Sequence, residues 1–279
     1  MALSSNQLEA FLTVSQTLSF TRAATLLHLT QSALSQRVLN LERELATTLF
    51  IRDRSGLRLT ETAHELVRYC RSKSALEDEF LAKLKSSGLE GEVRIGGFSS
   101  VMSSVVIPAL EPLLTAHPGL RVHLVTAELT QLPERLHTGE IDFMILDRRE
   151  TREELERISL GKERNVLVQK RKYNGPEIFL DHDENDTTTK DYLKLAGRKS
   201  KKIERRYLDD IHGLIAGVRR GFGRAVIPKH LLTGEFEILD PEMVLEIPVF
   251  LYFYSQPYYS KLHTKIVNAL VEGARQQLG

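Results

Sequence analysis

The sequence predicts a mixed α/β protein made of two different parts, and three observations support that fold class. Up to about residue 86, apolar residues recur mainly at helical spacing. From residue 91 onward, short strand-like runs alternate with helical segments, as in a sheet covered by helices. At 279 residues the chain is also long for a single hydrophobic core. We therefore expect separate N-terminal and C-terminal domains.

Composition narrows the class of protein. The chain is 42% hydrophobic and 27% charged, which is ordinary for a globular protein. Its net charge of +1 does not indicate a wholly basic polyanion-binding protein, although it allows one small DNA-reading module. The single cysteine, Cys70, excludes an intramolecular disulfide and a thiolate metal cluster. The start, MALSSNQLEAF, lacks a signal-peptide pattern and no run looks long enough to span a bilayer, so we expect a cytoplasmic location.

Three helices are predicted near the N-terminus. The first carries apolar residues at helical spacing over residues 8–14. Thr21 is the expected N-cap of a short second helix, in which Ala23 and Ala24 allow close packing. Thr30 is the expected N-cap of the third helix only a few residues later. Two helices so close together indicate a helix-turn-helix.

The third helix has one apolar face and one face rich in hydrogen-bonding side chains. Leu34, Val38 and Leu41 fall on the inward face. Amide and guanidinium groups can bond base edges in the major groove, and hydroxyls can bond bases or phosphates. The alternative is an ordinary solvated face, although such faces usually carry Glu/Lys pairs. The polar face comprises Gln31, Ser32, Ser35, Gln36, Arg37 and Asn40.

The next segment predicts a β-hairpin wing. In LATTLFIRDRSGLRLTET, the apolar run 49–51 is followed by a turn over residues 53–56. Arg52, Arg54 and Arg58 would then be exposed and able to contact phosphates or a minor groove. Each arginine has the alternative of being an ordinary surface charge.

A long helix should follow the wing. It begins after the cap signal Thr60 and continues to about Ser86 with one apolar stripe, which requires a partner helix. A second copy of the chain is the expected partner, and two-fold symmetry then predicts an inverted-repeat DNA site. The run SSGLEG, residues 86–91, predicts a hinge.

The run SFTRAATLLHLTQSALSQRVLNLERELATTLFIRDRSGLRLT resembles the winged helix-turn-helix of LysR-type transcriptional regulators. Within that family, TQSALSQRV is most similar to regulators of basic amino acid metabolism and export. One departure is Ala63, where the family usually has glycine; alanine favours helix by about 1 kcal/mol, so a stiffer linker helix is expected. The resemblance implies DNA contacts from Thr30, Gln31, Ser32, Ser35, Gln36 and Arg37, and from Arg52 and Arg54 in the wing.

The C-terminal part predicts a two-lobed α/β binding domain. Two sets of alternating strands and helices occur, and the terminal helix returns to the first set. PALEPLLTAHPGLRV, LHTGEIDFMIL and LIAGVRRGFGRAVIPKHLL resemble the periplasmic-binding-protein-like effector domain of LysR-type regulators. The predicted domains are a DNA-binding domain at 1–59, a linker and dimerisation helix at 60–87, and an effector domain at 88–279. Within the last, lobe I takes 91–166 and 252–279, and lobe II takes 167–251.

Candidate effector-binding residues lie where strands end and helices begin, because these ends face the cleft of a two-lobed domain. The acidic members suit an ammonium or guanidinium group, whereas the serines suit a carboxylate. The alternative is that the serines near residue 100, and Asp210 ahead of the helix at 211, act only as helix caps. The candidates are Ser99, Ser100, Met102, Glu128, Thr130, Asp147, Asp209 and Phe222, with Ser103, Asp210 and Gly223 beside them.

The resulting hypothesis is a LysR-type transcriptional regulator. Its expected partners are double-stranded DNA with an inverted repeat, a small-molecule effector and a second copy of the chain. A tetramer and RNA polymerase are further candidates, and no membrane is expected. The chain has neither HExxH nor GxSxG, so we expect no enzyme activity, cofactor or metal. A solute-binding protein of the two-lobed type is the alternative, with a small-molecule enzyme as the third.

Overall fold

The computed structural model describes residues 3–53, 56–85, 89–198 and 203–279. The chain forms two compact units. Unit 1 comprises Met1–Gly91 with His137–Glu140, and unit 2 comprises Glu92–Leu136 with Ile141–Gly279.

Unit 1 contains three short helices, a hairpin and one long helix. Phe50 pairs with Leu59 in the antiparallel hairpin, so the expected wing is present. The predicted winged helix-turn-helix and the long helix after it are thus confirmed. The elements are α1 (Ser5–Thr17), α2 (Phe20–Leu26), α3 (Gln31–Leu45), β1 (Phe50–Asp53), β2 (Gly56–Leu59) and α4 (Glu61–Lys85).

Side-chain caps begin three of these helices. The Thr30 hydroxyl accepts from Ala33 N at 3.2 Å, and the Thr60 hydroxyl accepts from Ala63 N at 3.2 Å, as predicted. The prediction for α2 was wrong: Ser19 is the N-cap and accepts from the backbone N–H of Arg22, whereas Thr21 already lies in the first turn. Ser19 has the extended backbone that an N-cap requires.

The wing is attached to α3 through one carboxylate. Glu42 Oε1 accepts from the backbone N–H of Leu49 at 2.7 Å and of Phe50 at 3.3 Å. Leu41, next to Glu42, is fully buried in a cluster that includes Phe11 and Leu49. The start of the wing is therefore fixed to α3 by both hydrogen bonds and packing.

Unit 2 is an α/β structure. Its first helical run has a π-helical turn (Met102–Val106) between two α-helical pieces. Pro108, which follows this turn, lacks the N–H that would bond the carbonyl of Ser104 in a regular α-helix. The elements are β3 (Gly91–Gly97), α5 (Ser99–Val101), α6 (Ile107–Ala116), β4 (Leu120–Thr126), α7 (Leu132–His137), β5 (Phe143–Leu146), β6 (Leu155–Lys170), β7 (Ile178–Asp181), α8 (Thr188–Leu195), β8 (Glu204–Tyr207), α9 (Ile211–Arg220), β9 (Ala225–Pro228), a 3-10 turn (Lys229–Leu231), β10 (Phe236–Ile238), β11 (Leu245–Tyr254) and α10 (Lys261–Leu278).

The sheets of unit 2 are mixed rather than uniformly parallel. Among the described residues, a seven-stranded sheet has the order β10-β6-β11-β5-β3-β4, with β9 also on β6, and β7 pairs with β8. The pairs β3–β5 and β7–β8 are parallel as predicted, but β11 runs antiparallel to β5 and β6. Strand β6, with 16 residues, also pairs antiparallel with β9 and β10, so the antiparallel part of the sheet is built around it.

Two of the apolar cores of unit 2 are built on different strands and helices. One lies between the β3, β5 and β11 strands and the helices α6 and α10. The other joins the end of β6 and strand β9 to α9. The long strands β6 and β11 continue through the middle of the unit, and the predicted lobe boundary at 166–167 falls inside β6.

One helical run corrects an expectation about membranes. Ser99–Ala116 is 18 residues long and apolar enough to cross a bilayer by length and composition, whereas the sequence was expected to hold no such run. Its residues Val101, Val105, Val106 and Leu110 are buried in the first core of unit 2. Packing in this core therefore accounts for part of the apolar character of the run, 33% of which is buried.

Candidate functional sites

The surface of α3 carries the predicted base-reading side chains. Leu34, Val38 and Leu41 are buried, which turns the opposite face outward. Gln31, Ser32 and Gln36 are exposed, and Ser35 and Arg37 are half-buried. Gln36 Nε2 donates to Asn40 Oδ1 at 2.8 Å, so its amide is held along the helix rather than projecting freely.

Helix α3 and the wing meet around a cavity of about 310 Å³. Gln31 and Ser35 reach it from α3, and Arg52 reaches it from β1. The structure thus brings together three polar side chains predicted from different segments. Arg54 lies outside the described residues. The other lining residues are Phe20, Val38, Glu42, Phe50 and Leu57.

Thr30 acts as a cap at this site. Its hydroxyl accepts from Ala33 N and lies 3.1 Å from the hydroxyl of Ser32. The α3 N-terminus is therefore closed by its own side chain, and Ser32 is held beside it.

In unit 2, the serines at the start of the first helical run do not cap it. The N-cap is Phe98, without a side-chain hydrogen bond, so the capping alternative is wrong there. Ser100 is 5% exposed and donates to Glu163 Oε1 at 2.8 Å. Ser103 donates to the Ser99 carbonyl at 2.9 Å. Met102 is 3% exposed and packs in the core, which does not support its predicted place at a ligand surface.

Two residues at this site were missed by sequence reasoning. Glu163 lies in the charged run LGKERN and His230 follows the strand GRAVIP, so both read as surface residues. The structure buries both side chains to 5% exposure, with His230 Nε2 2.9 Å from Glu163 Oε1. His230 Nδ1 lies 2.8 Å from the hydroxyl of Ser104. Residues 67 positions apart form this contact, and no local pattern could have predicted it.

Asp147 adds a second carboxyl group near this network. Burial raises its pKa, and the charge of Glu163 acts in the same direction, while Arg148 opposes the shift. Its buried Oδ1 has no hydrogen-bond partner among the described residues, although Arg148 Nη1 lies 3.7 Å away. The strand end after β5 therefore presents an acid, as predicted.

The remaining candidates are mostly exposed. Asp210 accepts from Gly213 N at 2.6 Å and caps α9, as the capping alternative held. Asp209, with φ of 58°, donates its backbone N–H to the His182 carbonyl. Phe222 is 44% exposed. Glu128 and Thr130 are exposed after β4, and Gly223 is buried.

The pKa of His182 is affected by Glu128, one of the predicted effector-binding residues. Burial alone would lower the pKa of His182, but its hydrogen bond to Asp186 at 2.9 Å and nearby carboxylates, Glu128 among them, raise it. The charge of Glu128, after β4, thus acts on a histidine that follows β7.

The fold and these surfaces define a class of protein: a winged helix-turn-helix module followed by an α/β binding domain. Residues 5–64 match the family described as bacterial regulatory helix-turn-helix protein, lysR family. Residues 86–275 match the LysR substrate binding domain. The chain belongs to the LysR family, as its sequence predicted. That family is one of regulators and not of enzymes.

Curated relatives carry regulator names. The HTH-type transcriptional regulator HdfR of Yersinia enterocolitica serotype O:8 / biotype 1B is 31% identical over 189 residues, which are 67% of this chain and 64% of that protein. HdfR of Yersinia pestis strain Pestoides F is 35% identical over 156 residues, 55% of this chain and 53% of that protein. The chain therefore spans between about half and two thirds of the length of these relatives.

Solved structures share the fold over nearly the whole chain. ArgP from Mycobacterium tuberculosis has a TM-score of 0.80 at 21% identity, covering 98% of both chains. Full-length LysG from Corynebacterium glutamicum with bound effector Arg has a TM-score of 0.76 at 21% identity, covering 98% of both chains. Full-length CbnR in complex with its target DNA has a TM-score of 0.54 at 18% identity, covering 98% of this chain and all of that one.

Proposed function

We propose that this chain is a sequence-specific DNA-binding transcriptional regulator of the LysR type, controlled by a small-molecule effector in unit 2. The observation that carries the proposal is the meeting of Gln31, Ser35 and Arg52 at one cavity between α3 and the wing. Family membership supports it, and the helix-turn-helix makes a plain solute-binding protein the weaker alternative. The setting of such a regulator is the cytoplasm.

In this proposal, side chains of α3 read bases and the wing holds the backbone. The amide of Gln31 suits bidentate bonds to adenine, and Arg37 suits guanine. Gln36 can read adenine in the same way once its amide turns from Asn40 toward the base. Ser32, Ser35 and Arg52 suit phosphate oxygens, which fix position without selecting sequence. The related CbnR structure contains its target DNA, which supports the same use of this fold.

In this proposal, the linker helix α4 forms the dimer interface. Leu76, Phe80 and Leu81 are 44%, 61% and 48% exposed on α4. Apolar side chains at this spacing pack well against a second helix, and a second copy of α4 is the natural one. Two copies would present two α3 helices to an inverted repeat. Pairing of dimers into a tetramer and contact with RNA polymerase complete the proposed assembly.

The effector acts in this proposal by shifting a population of conformations. A ligand that binds one arrangement of unit 2 more tightly favours that arrangement and alters the spacing of the two DNA-reading heads. The exposed acids Glu128 and Asp209 suit a cationic group, with Phe222 as an apolar or cation–π surface. The LysG structure carries Arg as its effector, which supports a guanidinium or ammonium compound.

The test is fluorescence anisotropy with a duplex from upstream of the gene and an unrelated duplex of equal length, across a salt series. The wild type should prefer the duplex that holds an inverted repeat. Gln36→Ala should reduce that preference by removing base contacts. Arg52→Ala should weaken binding to both duplexes and reduce the salt slope by about one unit.

A matched control is Gln277→Ala, an exposed glutamine on α10, which should leave binding unchanged. Equal binding of both duplexes by the wild type would contradict sequence-specific recognition. Absence of binding at low salt would contradict the regulator itself.

A further inference from the structure

A buried carboxylate occupies the start of the first helical run of unit 2. Glu163 is 4% exposed on strand β6 and receives the hydroxyl hydrogen of Ser100 at 2.8 Å. His230 Nε2 lies 2.9 Å from the same oxygen of Glu163. Two donors from different elements thus converge on one oxygen atom, which is the arrangement expected of a carboxylate-binding site.

The ring of His230 makes contacts at both of its nitrogen atoms. Its Nε2 lies 2.9 Å from Glu163 Oε1, and because a carboxylate only accepts, this nitrogen carries the hydrogen of that contact. Its Nδ1 lies 2.8 Å from the hydroxyl of Ser104, which in turn lies 2.7 Å from the Ser100 carbonyl. The ring is therefore held in place from two sides.

The contacts also join parts of unit 2 that are distant in sequence. Ser100 and Ser104 come from the first helical run, Glu163 from β6, and His230 from the 3-10 turn after β9. The serines belong to the predicted lobe I and His230 to the predicted lobe II. A carboxylate at this point thus connects the two lobes.

We infer that Glu163 is a built-in occupant of the carboxylate site formed by Ser100 and His230, and that it determines which effectors the domain accepts. An effector cannot place its own carboxylate on these donors, because the protein already fills them. Asp147, the neighbouring acid, would add repulsion against an anion. The inference rests on the proposed function, since it concerns the effector of that same domain, and it favours a cationic or neutral group at this end.

The test is chemical rescue in the full chain. Glu163→Ala removes the carboxylate and leaves Ser100 and His230 without their acceptor, so its melting temperature should fall by several degrees. Sodium acetate or formate, titrated against sodium chloride at constant ionic strength, should restore much of that loss and saturate. The wild type should show no saturable shift with either anion.

Glu246→Ala is the matched control, because Glu246 is an exposed glutamate on the adjoining strand β11, paired with Lys162 at 2.6 Å. It should not respond to acetate. Glu163→Ala combined with Ser100→Ala should lose much of the rescue. Failure of Glu163→Ala to respond, or an equal response of the wild type, would overturn the inference.

A second measurement covers the case in which Glu163→Ala does not fold. Glu163→Gln, Ser100→Ala and the double variant form a thermodynamic cycle, in which the double variant should lose clearly less than the sum of the single losses. Additive losses would contradict the inference. These readouts need no DNA, so a chain that shows rescue but binds no duplex would leave the inference standing and remove the proposed function.

Discussion

At the scale of single residues, burial changes the properties of several side chains in this protein. Cys70 is 3% exposed, and burial raises the pKa of its thiol to about 11. Ala63 lies in the first turn of α4 and is fully buried, so its methyl group packs in a core as well as favouring helix. Glu163 and His230 could not be recognised, because charge patterns alone do not reveal that a glutamate in a charged run points inward.

His263 makes stability depend on pH. Its ring lies among Phe143, Phe253 and Tyr259, with ring centroids 4.7, 4.6 and 4.4 Å away. Burial lowers its pKa from 6.5 to about 4. The unfolded chain therefore binds a proton between these values while the folded chain does not, so stability is full above about pH 6.5 and falls as the pH drops toward 4.

We predict that His263→Phe loses less stability than the wild type on acidification. Urea unfolding at pH 7 and at pH 4.5 should give a difference of about 2 kcal/mol between the two proteins, allowing for the partly exposed ring. His212→Gln, at an exposed position on α9, is the control and should follow the wild type. Identical acid sensitivity of His263→Phe and wild type would rule out this role for His263.

At the scale of elements, the periodicity of apolar residues predicted which segments are helices and strands. It did not predict every helix end or how the elements attach to one another. The cap signals Thr30 and Thr60 were correct, but Ser19 replaced Thr21 because a cap needs an extended backbone that only the structure reveals. The wing was predicted from its turn and apolar flanks. Its attachment to α3 through Glu42 was not, since that bond joins a helix side chain to backbone groups beyond the helix.

We predict that Glu42→Ala loosens the wing. Loss of the acceptor leaves the N–H groups of Leu49 and Phe50 unpaired, at a cost of about 1–3 kcal/mol in the free energy of unfolding. Because Arg52 lies in the same strand, two positions after Phe50, a looser wing should also lower the affinity for any DNA duplex. Thermal unfolding and anisotropy measure the two effects, with the exposed Glu9→Ala on α1 as control. Unchanged stability would show that water replaces Glu42 without cost.

At the scale of the whole molecule, the order of the parts could be predicted but the sheet could not. Alternating strands and helices indicated an α/β domain, and their grouping in two sets, together with the family resemblance, predicted two lobes. Strand direction depends on how β6 and β11 return through the sheet, and this is a long-range property. The antiparallel pairing of β9 with β6 likewise brings His230, which follows β9, to Glu163. Sites whose residues come together only through the order and direction of the strands are thus the ones that the sequence did not predict.

We predict that α4 holds two copies together. Phe80→Glu places a charge on the most exposed of its described apolar side chains and should convert dimers to monomers in light scattering after size-exclusion chromatography. DNA affinity should then drop sharply, since one head must bind alone. Asp78→Lys alters charge two positions away and should keep the dimer. A Phe80→Glu protein that remains dimeric would show that dimerisation uses another surface.

The route of the chain through unit 2 also has a consequence during protein synthesis. The first core of that unit uses residues from β11 and α10, so it stays open until Val249–Leu278 have left the ribosome. The cores beneath α3 and the wing use residues of the first quarter of the chain. Because domains fold as units while the chain emerges, the N-terminal head should be complete while much of unit 2 is still being translated. A ribosome stalled late in the message would then carry a folded DNA-binding domain together with an incompletely folded unit 2.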